Sequence, residues 1–240
     1  MPKLVLLRHG QSEWNQSNRF NGWIDTYLSA TGKKQAQDAG QALLKQEIHF
    51  SRAYSSVLSR TIMTINRILD ELGQSYIPLT KSWRLNERHY GILQGEDKDA
   101  MRAKYGKEQV QIWRRSYSVL PPKQPAYDPT VTIDGRTYPA FDRRYARVPY
   151  GLLPLSENIQ STEVRVRPLF EDEIVPRLRA GEDVLIVAHG TSVRALTKLI
   201  EGLTPEQVTK VEIPNGEPII YEFDKSLSAY KKEIVRSSFK

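Results

Sequence analysis

Short apolar runs alternate along this chain with longer segments in which apolar residues recur every three or four positions. Lys3–Leu7 is a short apolar run that breaks at Arg8-His9-Gly10, the pattern of a buried strand ending in a loop. A helix is predicted from Ser29, with Ala36, Gly40, Leu43 and Glu47 on one stripe and Ala39 beside it. Arg52–Ser55 predicts a short strand. It is followed by a helix in which Leu58, Ile62, Ile65, Leu69 and Leu72 recur at helical spacing up to Gly73. Further on, Thr162–Ala180 predicts a helix with Pro168 near its start and a kink or break from Pro176 near its end. Val184–Ala188 is the clearest strand pattern, and His189-Gly190-Thr191-Ser192 leads from it into a helix through Leu199. Thr204-Pro205 has the form of an N-cap and first helical residue, and Glu217–Phe223 predicts another strand. This alternation predicts an α/β fold, a mostly parallel central sheet flanked by helices, in one domain spanning 1–240.

The middle of the chain breaks the pattern. Seven of the 14 prolines fall between Pro121 and Pro154, among Tyr127, Tyr138, Phe141, Tyr145 and Tyr150. Such a segment is too aromatic for a disordered linker and too rich in proline for regular structure. It predicts an ordered insertion, about residues 98–154, lying over the active site. Residues 224–240 are expected to form a short basic tail.

Composition narrows the chemistry. The 240 residues contain no cysteine, which excludes disulfide frameworks, thiolate catalysis and cysteine-ligated metal sites. No apolar string approaches the ~18 residues of a membrane span, and the start is too short for a secretory leader, so a soluble cytoplasmic protein is expected. The net charge is +7, and residues 98–150 carry 11 basic against 5 acidic residues, nearly the whole excess. That local charge attracts anions: nucleic acid, acidic lipid, or a small phosphorylated or carboxylated metabolite.

His9 and His189 each follow an apolar strand, precede a glycine and open a loop of hydroxyl residues. In an open α/β sheet, ligands bind beyond the carboxyl ends of strands, so the two imidazoles could share one crevice. No HExxH pattern or ligand-like spacing supports a metal, no nucleophile elbow supports serine hydrolysis, and no phosphate loop motif is present. Covalent phosphoryl transfer remains, with one imidazole attacking phosphorus and the other assisting. It needs cations and a proton donor. Arg8, Arg60, Arg84, Arg88, Arg114 and Arg115 are candidates for the first, and Glu87 for the second.

These residues resemble a known family. Leu7-Arg8-His9-Gly10-Gln11-Ser12-Glu13-Trp14-Asn15 is similar to the signature of the histidine phosphatase superfamily, and its ending is similar to that of the cofactor-dependent phosphoglycerate mutases. The likeness continues through Phe20–Asp25, Leu28–Gly32, Ser56–Arg60, Trp83–Gly91 with Lys98, Ala188–Leu196 and Ile213–Pro218. It implies that His9 is the phosphorylated nucleophile and His189 its partner at the transition state. Arg8 and Arg60 would clamp the moving phosphoryl group near Asn15, and Glu87 would be the general acid and base. Tyr90, Lys98, Arg114 and Arg115 would hold the substrate's carboxylate and second phosphate, with Asn21, Gly22, Arg88, His89, Gly190 and Thr191 completing the binding set. The implied reaction interconverts 3-phosphoglycerate and 2-phosphoglycerate. It would be primed by 2,3-bisphosphoglycerate, without a metal, in a cytoplasmic homo-oligomer (dimer or tetramer) that engages neither nucleic acid nor membrane.

Several positions depart from the family's usual residues. Gln11 replaces Glu, Thr61 replaces Ala, Asn158 replaces Ser, Thr191 replaces Asn and Asn215 replaces Thr. Alternatives to the mutase are a phosphatase or bisphosphoglycerate mutase with the same nucleophile, and a non-catalytic anion-binding module built on the basic, tyrosine-rich segment.

Overall fold

Val184–Ala188 is the strand around which the molecule is assembled: all five of its residues are buried. The structure, a computed structural model, describes residues 1–125 and 142–236, with the backbone alone of 132–133 and 136–137. Its main sheet holds β1 (Lys3–Arg8), β2 (Arg52–Ser55), β3 (Leu79–Lys81), β6 (Val184–Ala188), β7 (Ile219–Phe223) and β8 (Tyr230–Ile234). The spatial order is β3-β2-β6-β1-β7-β8; the first four are parallel, β7 is antiparallel to β1, and β8 is antiparallel to β7. In a separate two-stranded sheet, β4 (Thr132–Ile133) pairs antiparallel with β5 (Arg136–Thr137).

The strands' alternation divides the core in two. Leu4, Leu6, Ile186 and Ala188 face one side, against Val166, Leu169, Leu178, Val193 and Leu196 of α6 (Ile159–Leu169), α7 (Val175–Arg179) and α8 (Gly190–Glu201). Val5, Leu7, Leu185 and Val187 face the other, against Ala39, Leu43, Ile65 and Ile68 of α2 (Ala30–Leu44) and α3 (Ser59–Glu71). The expected mostly parallel sheet with helices on its faces is thus observed.

Helix ends follow local chemistry. Ser29 caps α2 by accepting from the N–H of Gly32 at 3.1 Å, as its position predicts. Glu47, expected on that helix's stripe, lies beyond its end at φ +51°, because α2 stops at Leu44. Thr204 caps α9 (Pro205–Lys210) in a reciprocal box with Gln207.

The Thr162–Ala180 helix differs from expectation. It starts at Ile159, where Asn158 and Ser161 form a reciprocal capping box, and Pro168 falls near the end of α6 instead of its start. Phe170–Ile174 then widens into a π-turn before α7. Pro176 has no N–H to send back to Asp172, and Val175 bonds instead to the carbonyl of Phe170, five residues away.

Two further regions correct the sequence reading. Part of the expected insertion is regular helix, α4 (Lys98–Tyr105) and α5 (Lys107–Arg115), while Tyr127, Tyr138 and Phe141 lie outside the described residues. The expected tail is in part the edge strand β8, and only residues 237–240 lie outside the description. A short helix, α1 (Glu13–Gln16), follows the first histidine loop. Among the described residues, no helix is long and apolar enough to cross a membrane.

The central strand should dominate stability. Ile186→Ala is expected to lower the unfolding free energy by about 2–5 kcal/mol. Ile234→Ala, on the exposed edge strand, should change it by less than about 0.5 kcal/mol. Urea unfolding of the two variants measures the difference.

Candidate active site

Three parallel strands end at one level. Arg8 of β1 pairs with Ala188 of β6, and Ser55 of β2 pairs with Val187. The residues just past these ends are His9, His189 and Ser56. The N–H of His9 continues the ladder to the carbonyl of Ala188 at 3.0 Å. The two imidazoles therefore stand side by side, ring centroids 4.9 Å apart and planes at 67°. Gly10 permits the next step of the chain: a Cβ there would lie 2.2 Å from the carbonyl oxygen of Gly32.

Both rings are buried and neutral. Burial, followed by the charges of Arg60 and Arg8, pushes the His9 imidazole well below its ordinary value. Burial and Arg60, with His9 and Arg165 behind them, do the same to His189. Nδ1 of His9 lies 2.6 Å from the carbonyl oxygen of Gly10. A carbonyl only accepts, so Nδ1 carries the proton and Nε2 keeps a free lone pair. Asn215 donates to the carbonyl of His9 at 2.7 Å and steadies the same turn.

Cations surround this pair. Arg60 is fully buried and donates to the carbonyls of Ile24 and Gly22 at 2.9 and 2.8 Å, which lowers its freedom but leaves Nε without a partner. Burial brings it down to about 10. It sits in the first turn of α3, whose N-cap residue Leu58 offers no side-chain cap. Asp25 supplies one, accepting from the N–H and hydroxyl of Ser59 at 2.7 and 2.6 Å. Arg8 donates to the carbonyl of Ile213 at 2.9 Å, and its Nε too is buried and unpartnered.

Glu87 meets the N-terminus of α8. One carboxylate oxygen accepts from the N–H groups of Arg88 and Thr191 at 2.8 and 3.2 Å. Burial alone would raise this carboxyl. The Thr191 and Arg88 hydrogen bonds, with the Arg88 and Arg8 charges, outweigh it and hold the group below its ordinary value.

His9, Arg8, Asn15, Asn21, Arg60, Glu87, Tyr90, Lys98 and Arg114 line one cleft of about 440 Å3, together with Arg19 and Phe20. An adjoining lobe of about 380 Å3 shares Arg8, Glu87, Tyr90 and Arg114 and adds Arg115, Gly190, Thr191 and Arg194. Burial and neighbouring guanidiniums lower Lys98 to about 8. A larger hollow between α2 and α3, lined by Leu28, Ala36 and Met63 with three basic residues, gathers no acid or base chemistry.

Two expected ligand contacts have their side chains behind the cleft. Arg88 is buried behind the cleft and donates to Thr191 Oγ1 at 3.2 Å and to the carbonyls of Trp113 and Arg114. Its guanidinium ties the loop to α5 and α8. His89 is buried as well, accepting from the N–H of Gly91 at 3.0 Å and packing 5.9 Å from Trp23. Gly22 turns the chain at φ +54° and gives its carbonyl to Arg60.

Other residues were not anticipated. Arg165 of α6 is buried and holds the carbonyls of Trp83, Arg84, Asn86 and Glu87 at 2.6–3.2 Å. It also forms a two-armed pair with Glu157 at 2.7 and 2.9 Å. One guanidinium thus ties the loop that carries Glu87 at four carbonyls, and Trp23 Nε1 donates to the Glu87 carbonyl as well, at 2.6 Å. A signal was present: Arg165 falls beside Thr162, Val166 and Leu169 on an otherwise buried helix face. Arg194 and Arg19 reach the cleft walls with no such signal beyond their charge.

The family model of the histidine phosphatase superfamily (branch 1) matches residues 4–232. A 2,3-bisphosphoglycerate-dependent phosphoglycerate mutase of Lactobacillus acidophilus is 48% identical over 97% of this chain and 98% of its own. A second such mutase, from Latilactobacillus sakei, is 50% identical over 97% of this chain and 99% of its own. The solved mycobacterial glucosyl-3-phosphoglycerate phosphatase shares the fold, with a TM-score of 0.70 at 22% identity over 98% and 97% of the two chains. The chain belongs to the histidine phosphatase superfamily and, within it, to the family of 2,3-bisphosphoglycerate-dependent phosphoglycerate mutases.

Two measurements probe this arrangement. Arg165→Ala leaves Glu157 buried and unpaired and should cost about 3–5 kcal/mol in urea unfolding. His89 is lowered by burial and Arg165 to about 3 in the folded protein, against about 6.5 unfolded. Between those values only the unfolded chain binds the proton, so stability falls as pH drops from 6.5, by about 1.4 kcal/mol per pH unit from this group. His89→Gln should remove that part of the slope.

Proposed function

We propose that the protein interconverts 3-phosphoglycerate and 2-phosphoglycerate through a phosphohistidine on His9, primed by 2,3-bisphosphoglycerate. One observation carries the reading: the free Nε2 of a neutral imidazole stands in a cleft lined by guanidiniums and one ionised carboxylate. The cleft suits a bisphosphate. The unpartnered Nε atoms of Arg8 and Arg60 fit one phosphoryl group beside His9, with Asn15 near it. Lys98, Tyr90, Arg114 and Arg115 fit the second phosphate and the carboxylate, with Arg194, Gly190 and Thr191 on the same wall. When bound, 2,3-bisphosphoglycerate supplies the phosphoryl group that loads His9.

The residues then divide the work. In the forward transfer the substrate hydroxyl oxygen bonds phosphorus, its proton passes to Glu87, and the P–N bond breaks with its electron pair returning to Nε2 of His9. In the return transfer Nε2 attacks the other phosphoryl group, and Glu87 gives the proton back to the departing oxygen. The lowered pKa of Glu87 suits the first half, since the carboxylate must be ionised to accept. Arg8, Arg60 and His189 flank the moving group, where positioned donors are worth most. Arg88 and His89 contribute by holding the loop rather than the ligand. On this reading the enzyme works in the cytoplasm as a homo-oligomer, a dimer or tetramer, and needs no metal.

Hydrolysis is the second reading. No residue of β8 lines the cleft, so the described C-terminal segment does not shield His9 from water. Isomerisation of 3-phosphoglycerate should be measured in EDTA, with and without 2,3-bisphosphoglycerate, while free phosphate is monitored. The mutase reading expects metal-independent isomerisation stimulated by the bisphosphate, absent in His9→Ala and slowed about 10²–10⁴-fold in Glu87→Gln. Phosphate release without isomerisation would establish the phosphatase instead.

A further inference from the structure

Thr61 follows Arg60 in the first turn of α3, and its hydroxyl sits two hydrogen bonds from His189. Its Oγ1 lies 2.6 Å from Ser56 Oγ, and Ser56 Oγ lies 2.9 Å from Nε2 of His189. Thr61 Oγ1 is also 2.8 Å from the carbonyl oxygen of Leu58, with the carbonyl of Ser56 at 3.4 Å as the other acceptor. Ser56, Thr61 and His189 are all fully buried, so water does not complete their bonding.

Counting protons fixes the direction of this chain. The neutral set has three: one each on Thr61, Ser56 and the imidazole. Ser56 Oγ already accepts from the N–H of Leu58 at 3.1 Å, leaving it one acceptor site and its own proton. If Thr61 donated to Ser56, then Ser56 would donate to Nε2, and the ring proton would sit on Nδ1. Nδ1 has no partner and is buried, so that arrangement strands a donor. If Thr61 donates to the Leu58 carbonyl, Ser56 donates to Thr61 and Nε2–H donates to Ser56. Every donor is then satisfied, and the unpartnered atom is an acceptor, the less costly kind to leave bare.

We infer that Thr61 is a positioning residue that, through Ser56, holds His189 as the Nε2–H tautomer, with Nδ1 its unprotonated nitrogen. His9 is held in the opposite tautomer by the Gly10 carbonyl. The resting site thus presents two neutral imidazoles, each with one free lone pair.

The tautomer is read directly by nitrogen-15 NMR of the imidazoles in the full-length, ligand-free enzyme, with His189→Ala identifying the His189 signals. The wild type should show Nε2 protonated and Nδ1 bare. Thr61→Ala removes the acceptor for the Ser56 proton, leaving Nε2 to take it, and should shift the ring towards Nδ1–H. Thr61→Ser keeps the hydroxyl and should restore the wild-type pattern. A protonated Nδ1 in the wild type, or a pattern unchanged in Thr61→Ala, would overturn the inference. The readout needs no turnover, so it stands or falls apart from the mutase assay. Should Thr61→Ala fail to fold, the wild type and Thr61→Ser spectra still decide the tautomer.

Discussion

The in-register parallel pairing of β1 with β6 is the constraint on which the site depends. Because Arg8 lies opposite Ala188 and the next N–H bonds across, both chains leave the sheet at one level. A shift of one residue would send one imidazole to the opposite face of the sheet, since side chains alternate along a strand. The register is held in turn by two apolar layers, Leu4 and Leu6 with Ile186 on one side, Val5 and Leu7 with Leu185 and Val187 on the other. The helical layers do more than cover the sheet. α3 and α8 begin at the same edge, so one delivers Arg60 and the other meets Glu87 with backbone N–H groups.

Electrostatics at this edge are arranged with few spare partners. Guanidiniums of Arg60, Arg88 and Arg165 are taken out of water, and their donors go largely to backbone carbonyls instead of to carboxylates. Their positive charge therefore remains largely uncancelled and keeps the cleft attractive to anions, while burial first and the Arg60 charge second keep both imidazoles neutral. Arg165 is the exception, since Glu157 accompanies it with two hydrogen bonds. That pair lies behind the Glu87 loop, where a further positive charge would have no anion to face.

Much of this was legible in the chain. Strands β1, β2 and β6 and helices α2, α3 and α8 showed because their apolar periodicity is strong and their ends carry Ser, Gly or His-Gly signals. The pairing of His9 with His189 followed from matched contexts, as did the candidacy of Arg8, Arg60 and Glu87. β3 escaped because three residues, two half-buried and one exposed, make no pattern, and β8 because every residue of it is exposed. The π-turn escaped because periodicity does not distinguish a widened turn from a kink. That the Arg88 and His89 side chains are buried behind the cleft did not show, since a sequence motif records that residues travel together and not which way each side chain points.

The strand order has a consequence for how the molecule comes into being. β6 lies between β1 and β2, yet it is encoded more than 120 residues after either. No other strand lies between β1 and β2, so the sheet stays split, β2 with β3 apart from β1, while the chain is synthesised. Loop-closure entropy must be met across most of the polypeptide before these contacts form, which favours slow folding. Until residue 188 emerges, the inner edges of β1 and β2 are unpaired and exposed to misassociation. The histidine pair is thus completed late, and no N-terminal fragment short of β6 contains it.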